Sequence, residues 1–353
     1  MYMSDTFDVA TACSHRPQHS ALLVRLCGGK ALTAEESQLL FEALVRGDLA
    51  ETEIAALLIA LKVKGETADE LIGAARALRA AALPFERPDY LFADSCGTGG
   101  DSSGTINLST AVAFVAAAAG LPVAKHGNRS VTSKCGSADV LERLGVRLNI
   151  TPEHSRRALD EIGVCFLFAP HYHPGLRHAG PVRRALNMRT VMNMLGPCVN
   201  PARPSVQLLG VADPALLEPV AATLIGLGIT RAMVVHGCGL DEVALHGPTD
   251  AIRIRHGAAT RLSLSPAEAG LEPAPLDALS GGGPDENAER LKALLMGYGT
   301  AAETAAVALN AGALLMTADL AATLAEGTDL ARQALASGQP YRRLEALVDI
   351  TND

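Results

Sequence analysis

Four segments gather the side chains and glycines with which this chain could do chemistry. The first is Gly97-Thr98-Gly99-Gly100-Asp101, followed by Ser102, Ser103, Gly104, Thr105 and Asn107. Its glycines let the backbone turn N–H groups toward an anion, and the start of a following helix adds positive potential. Ser109 and Thr110 would bring hydroxyls to the entrance of that helix. The spacing matches neither the P-loop pattern nor a dinucleotide fingerprint, so ATP and NAD are poor guesses. Taken alone, the glycines read equally well as an ordinary strand-to-helix turn.

The second segment runs Lys125-His126-Gly127-Asn128-Arg129-Ser130-Val131-Thr132-Ser133-Lys134-Cys135-Gly136-Ser137-Ala138-Asp139. Cations, an amide and hydroxyl donors around two glycines are what a polyphosphate needs when no Walker loop is present. The competing reading, a solvated basic face, is weakened because the segment begins at the end of a strand, where α/β proteins bind ligands. The third segment is Gly237-Cys238-Gly239-Leu240-Asp241-Glu242, again just beyond an apolar run. Adjacent carboxylates there suit Mg²⁺, which takes one or two carboxylates and otherwise waters and phosphate oxygens. The alternative is an acidic pair at a helix N-terminus, stabilised by the helix dipole.

The fourth stretch passes from His171, Tyr172 and His173 through Arg177, His178, Arg183 and Arg184 to Arg189 and Leu195-Gly196-Pro197. No Cys or carboxylate stands at ligand spacing beside His171 and His173, so turn or pocket-lining roles fit them better than metal binding. Arg183 and Arg184 offer planar forks suited to a carboxylate.

These segments need a scaffold, and the pattern around them describes one. Thr33 with Glu36 and Thr67 with Glu70 are capping boxes. The stripe Leu39, Leu40, Ala43 and Leu44 follows the first box, Leu71, Ala74, Ala75 and Leu78 follow the second, and Ile54, Leu57, Leu58 and Leu61 form a helix between them. Residues up to about Ser20 read as irregular. From Tyr90 onward short apolar runs alternate with helical stretches, the signature of an α/β fold with a mainly parallel sheet. The expected strands are Tyr90 to Ser95, Leu121 to His126, Cys165 to Phe168, Val206 to Val211 and Arg231 to His236, with a hairpin of Ile252 to Arg255 and Thr260 to Leu264. Helices are expected from Asn287 to the end.

A chain of 353 residues exceeds the usual single core, so two domains are the natural division. With aromatic residues at 3% and no Trp, Ala, Leu and Val must fill the interior. The net charge of -8 and scattered Lys and Arg argue against tracking nucleic acid or an anionic membrane. Seven cysteines without a C-x-x-C pair suggest reduced thiols. No basic-then-apolar leader opens the sequence, and no apolar run reaches the roughly 20 residues of a spanning helix, which leads us to expect a cytoplasmic protein.

In combination and in this order, G-T-G-G-D, K-H-G-N-R-S and the L-G-P-x-x-N-P stretch at Leu195 to Pro201 resemble the anthranilate phosphoribosyltransferases, and the likeness covers nearly the whole chain, including Glu286-Asn287-Ala288 and Leu309-Asn310-Ala311. The resemblance implies a helical domain, residues 1–88 joined by helices around 177–195, and an α/β domain, residues 89–176 and 196–353. It implies a homodimer using Mg²⁺, two ions per subunit, to move a phosphoribosyl group onto anthranilate in tryptophan biosynthesis.

Carried onto matching positions, the family's roles put the phosphoribosyl pyrophosphate on Gly97, Gly100, Asp101, Thr105, Asn107, Leu108, Ser109, Thr110, Lys125, His126, Gly127, Asn128, Arg129, Ser130, Val131, Thr132, Ser133 and Ser137. Mg²⁺ falls to Ser109, Asp241 and Glu242, anthranilate to Gly97, Asn128 and Arg183, and catalysis to Lys125, Arg129 and His126. Departures from the family are Asn187-Met188 where Gly is frequent at the first position, Val191-Met192, Cys198 and Cys135. A pyrimidine nucleoside phosphorylase shares the fold and the Lys-His-Gly loop but uses orthophosphate and no metal pair. A non-catalytic nucleic-acid-binding relative is the alternative of a different class.

Overall fold

The computed structural model describes residues 9–130 and 134–353. Its first helices are α1 (Val9–Cys27), α2 (Ala34–Arg46), α3 (Glu51–Lys64) and α4 (Ala68–Ala80). Thr33 and Thr67 cap α2 and α4, and the amides of both threonines donate back to Glu36 and Glu70 at 2.9 and 2.8 Å. Each such cap contributes on the order of 1 kcal/mol. Glu70 has a second task. It is fully buried, and its carboxylate also accepts from the Leu32 amide at 3.0 Å and from Lys64 Nζ at 2.9 Å. Three donors on one buried carboxylate join the start of α2, the end of α3 and α4, and offset the cost of taking the charge out of water.

Two sequence expectations are corrected here. Residues 9–20 are helical rather than irregular: Leu22, Leu23 and Leu26 anchor α1 in the core, and no glycine interrupts the chain back toward Val9. In α2 the inward stripe is Leu40, Phe41, Ala43 and Leu44, with Phe41 fully buried where Leu39 was expected.

The chain continues through β1 (Ala93–Gly97), α5 (Leu108–Ala118), β2 (Val123–Gly127), α6 (Ser137–Arg143), α7 (Pro152–Ile162), β3 (Val164–Phe168) and α8 (Ala169–Tyr172). Next come α9 (Gly180–Leu186) and α10 (Val191–Cys198), then β4 (Val206–Gly210), α11 (Leu217–Gly226), β5 (Arg231–His236), β6 (Thr249–Arg255) and β7 (Ala258–Leu264). Helices α12 (Pro284–Leu295), α13 (Ala301–Thr317), α14 (Leu324–Ala336) and α15 (Gln339–Asn352) complete it. The chain divides into two units: Met1–Ala82 with His173–Leu195, which is helical, and Leu83–Tyr172 with Gly196–Asp353, which holds the sheet.

The sheet has seven strands in the order β3-β2-β1-β4-β5-β6-β7, parallel through β5 and antiparallel in the last hairpin. β1 begins at Ala93 rather than Tyr90. Its neighbour β2 is preceded by Pro122, which has no N–H to extend the ladder, and the Ala93 amide donates to the Pro122 carbonyl at 2.8 Å. The hairpin turns on His256 and Gly257, both at positive φ (48° and 83°), the geometry that matches strand twist. The chain leaves β1 toward β2 on one side and returns from β3 to β4 on the other. This reversal falls between β1 and β4, and the loops after β1, β2 and β5 all emerge on the side of the sheet where these strands end.

α5 is buried along nearly its whole length, from Leu108 to Ala117, and an alanine-rich helix allows that close approach. α13 and α14 meet still more closely, through glycines. A Cβ added to Gly312 would lie 2.5 Å from the Thr328 nitrogen, inside contact distance. Gly312→Val should therefore lower unfolding free energy by about 3 kcal/mol, read by guanidinium denaturation; an unchanged midpoint would show that the two backbones are not in contact.

Candidate active site

The carboxyl ends of β1 and β4 are bare of side chains because Gly97 and Gly210, paired in register, stand there. The turn that follows β5 uses this space. A Cβ on Gly210 would overlap the Asp241 carbonyl, and one on Gly97 would overlap the Asp241 carboxylate. Neither glycine is needed for backbone freedom; both are needed for close approach. Asp241 reaches across to the loop after β1, where the Gly99 amide donates to its Oδ2 at 2.6 Å. Asp241 and Glu242 lie in an irregular turn, so the helix N-terminal reading of this acidic pair does not hold.

Glu242 lies beside the Ser109 amide at the start of α5, and Asp241, Lys125 and Asp101 are its charged neighbours. Both carboxyls are raised above the ordinary range. For Asp241 the cause is burial and then the charge of Asp101; for Glu242 it is burial and then Asp241. Asp101 is oriented by the Ser103 amide and hydroxyl, at 3.0 and 2.9 Å. Among the described residues no three His, Cys, Asp or Glu side chains meet at ligand distance. The cluster instead offers a few hard oxygens, with the Ser109 hydroxyl nearby, which suits a cation that keeps most of its shell for water and phosphate.

Lys125 is buried on β2 and donates to the Ser95 carbonyl at 2.6 Å and to Ser109 Oγ at 3.0 Å. The second bond draws its charge toward the start of α5. His126 faces the other side of the sheet. Its amide meets Asp94 Oδ1 at 3.3 Å, and its Nδ1 lies 3.1 Å from the Gly196 carbonyl. Asp94, fully buried, also accepts from Asn200 Nδ2 at 2.9 Å. Asp94 and Asn200 lie outside the expected site residues, although an acid inside an apolar strand and the Asn of L-G-P-x-x-N-P are visible signals in the sequence.

Beyond Gly127 the chain is shaped by Asp139, which accepts from the amides of Ser130 and Gly136 at 3.0 and 2.9 Å. The Asn128 carbonyl accepts from Ser137 Oγ at 3.3 Å. Arg129 turns toward α6, pairing with Glu142 at 2.8 and 2.9 Å and with Asp139 at 3.1 Å, with its guanidinium 5.6 Å from the Phe168 ring centre. Thr105 bridges to Ser280, and Asn107 donates to the Cys135 carbonyl at 3.1 Å. Val131, Thr132 and Ser133 lie outside the described residues.

Gly97, Gly100, Asp101, Thr105, Asn107 to Thr110, Lys125 to Ser130, Ser137, Asp241 and Glu242 thus all belong to the sheet-containing unit, on or beside the loops and helix starts at the carboxyl ends of β1, β2 and β5. Arg183 belongs to the helical unit, on α9. It is half-buried, and that burial lowers its pKa with no acidic group opposing the effect. Asn187 closes α9 at φ 45°, a left-handed position that Asn tolerates better than most residues other than Gly. The described cysteines are free thiols.

Residues 89–341 match the family model described as the glycosyl transferase family, α/β domain, and residues 20–82 match that of its helical bundle domain. Fold and site together define a glycosyltransferase of this two-domain class. The chain is 58% identical over 333 residues to an anthranilate phosphoribosyltransferase of Sorangium cellulosum, covering 94% of this chain and 96% of the relative. It is 52% identical over 326 residues to that of Vibrio campbellii, covering 92% and 97%. Among solved structures it is similar to the enzyme of Thermus thermophilus, with TM-score 0.90 and 44% identity over 94% of this chain and 99% of that one. It is also similar to the Saccharomyces cerevisiae enzyme in complex with PRPP and Mg, with TM-score 0.86 and 25% identity over 96% and 98%. The chain belongs to the anthranilate phosphoribosyltransferase family.

Raised carboxyl pKa values carry a stability consequence. A carboxyl whose pKa is higher folded than unfolded stabilises the fold at acid pH, and this contribution is lost as pH rises through the folded value. The metal-free protein should therefore be less stable at pH 8 than at pH 6, and the D241N/E242Q double variant should show a shallower fall. An identical slope in the two proteins would place both carboxyls in a water-like setting.

Proposed function

We propose that the chain transfers the phosphoribosyl group of 5-phosphoribosyl 1-pyrophosphate to the amine of anthranilate, giving N-(5-phosphoribosyl)anthranilate and pyrophosphate in tryptophan biosynthesis. The observation that carries this reading is the meeting of Gly97 to Asp101, Lys125 and the Asp241-Glu242 turn at one end of the sheet. A diphosphate and its cation need donors and acceptors side by side.

In this reading the donor's phosphates lie on Gly97, Gly100, Asp101, Thr105, Asn107, Leu108, Ser109 and Thr110 and along Lys125 to Ser133 with Ser137, the amides at the start of α5 favouring negative charge. Ser109, Asp241 and Glu242 hold Mg²⁺, two ions per subunit, which when bound supplies positive charge to the leaving pyrophosphate. Lys125 adds a fixed cation that needs no reorganisation as charge develops. Arg129 exchanges Glu142 for phosphate oxygens, which the half-exposed pair with Glu142 permits. The reacting ribose carbon gains oxocarbenium character as the C–O bond to pyrophosphate breaks, and the aniline nitrogen forms the new bond and then sheds its proton. His126, held by Asp94 and the Gly196 carbonyl, orients the neighbouring loop. Gly97, Asn128 and Arg183 receive anthranilate, Arg183 taking its carboxylate because no acid among the described residues offsets the burial of that guanidinium.

The same reading makes the protein a cytoplasmic homodimer associating through its helical unit. Among the described residues no helix is long and apolar enough to cross a membrane. Val24 on α1 and Val63 on α3 lie largely in solvent and supply apolar side chains for such an association. Sedimentation at micromolar concentration should give twice the chain mass, and a single-chain mass would overturn the dimer.

The activity is tested by loss of anthranilate fluorescence on adding phosphoribosyl pyrophosphate and Mg²⁺, with no loss once the metal is chelated. Phosphate-dependent release of free base from uridine or thymidine would favour a nucleoside phosphorylase instead. Arg183→Ala should raise the KM for anthranilate at least tenfold, about 1.4 kcal/mol of lost binding, and leave that for the phosphoribosyl donor nearly unchanged; equal effects on both would defeat the role given to Arg183.

A further inference from the structure

Two asparagines sit where the apolar pattern of their helices calls for alanine or leucine. Asn310 on α13 is fully buried, and Asn287 in the first turn of α12 is 3% exposed. A buried carboxamide is costly unless its donors and acceptor are used. In both residues they are used, and on loops of the site rather than on the helices alone.

Asn310 Oδ1 accepts the Val243 amide at 2.8 Å, and its Nδ2 donates to the Val243 carbonyl and the Ala306 carbonyl, each at 2.9 Å. Val243 directly follows Glu242. One residue on, Thr249 Oγ1 accepts the Ala244 amide at 2.9 Å. Asn287 Nδ2 donates to Asn107 Oδ1 at 3.1 Å while its Oδ1 accepts the Gly282 amide at 2.8 Å. Asn107 passes the connection on to the Cys135 carbonyl, so α12 holds the segments that follow β1 and β2.

These bonds have an electrostatic reason. Asp241 and Glu242 are adjacent acids in one turn, and the loop that this turn meets through the Gly99 amide carries a third, Asp101, so like charges are gathered there and repel. Before a cation binds, that repulsion tends to spread the turn. A backbone held at both its N–H and C=O resists the spreading without adding charge. We propose that Asn310 is a positioning residue that holds the Asp241-Glu242 turn for its divalent cation, and that Asn287 is a positioning residue for the donor's phosphate loops. The proposal rests on the function argued above and assigns two helical asparagines to two separable tasks.

The test compares N310A, N287A and T249V with the unaltered protein in metal-dependent turnover, and in Mn²⁺ binding read by electron paramagnetic resonance with phosphoribosyl pyrophosphate present. N310A should raise the half-saturating Mg²⁺ and the Mn²⁺ dissociation constant at least tenfold and leave the anthranilate KM within twofold. T249V should shift the same two quantities in the same direction by a smaller factor. N287A should raise the KM for the donor at saturating metal and leave the Mn²⁺ constant near that of the unaltered protein. Metal constants within twofold of the unaltered protein in folded N310A, or one common loss across all parameters in N310A and N287A, would overturn the proposal. If N310A does not fold, T249V decides the metal half. If the unaltered protein binds Mn²⁺ but transfers nothing to anthranilate, the functional reading fails, and the effect of N310A on Mn²⁺ binding still decides the clamp.

Discussion

Three carboxyl groups that repel one another are held at the end of a parallel sheet, and most of the surrounding structure follows from keeping them there. Asp101 comes from the loop after β1, and Asp241 and Glu242 come from the turn after β5, with β4 lying between those strands. The turn can cross β4 only because Gly210 presents no side chain, and it can meet the first loop only because Gly97 presents none. Burial raises the cost of ionising Asp241 and Glu242, and so favours a bound cation or a proton over free charge.

Around that centre the positive elements are placed without a basic surface. Lys125 is buried and aimed at the start of α5 through Ser109, so a chain of net charge -8 still sets a fixed cation beside the acids at the strand ends. Arg129 pairs with Glu142 and Asp139 in an exposed arrangement that costs little to break. The amide of His126 and the amide group of Asn200 both rest on Asp94, a buried carboxylate whose hydrogen bonds fix the strand end from beneath. Such a network is rigid because removing any one member leaves another polar group unsatisfied.

Helices carry the remaining constraints. α5 brings Ser109 to the acids and buries most of its length, which an Ala-rich sequence permits. α13 lies close enough to α14 for Gly312 to be required, and from its fixed position Asn310 reaches the loop beyond Glu242. In this way tight helix packing becomes precision in the turn after β5.

The sequence alone carried the fold class, the seven strands with small shifts, the capped helices and the three loops at strand ends, because hydrophobic period, capping pairs and glycine clusters are local signals. Family likeness added the roles, since motif order is also contained in the sequence. What only the tertiary structure decided are contacts between residues far apart in the chain. That Gly97 and Gly210 are needed for space rather than for flexibility, that Asp94 supports His126, and that Asn310 grips Val243 depend on which strands become neighbours. Strand order is settled by burial of the whole sheet and its helices at once, and no local stretch of residues encodes it.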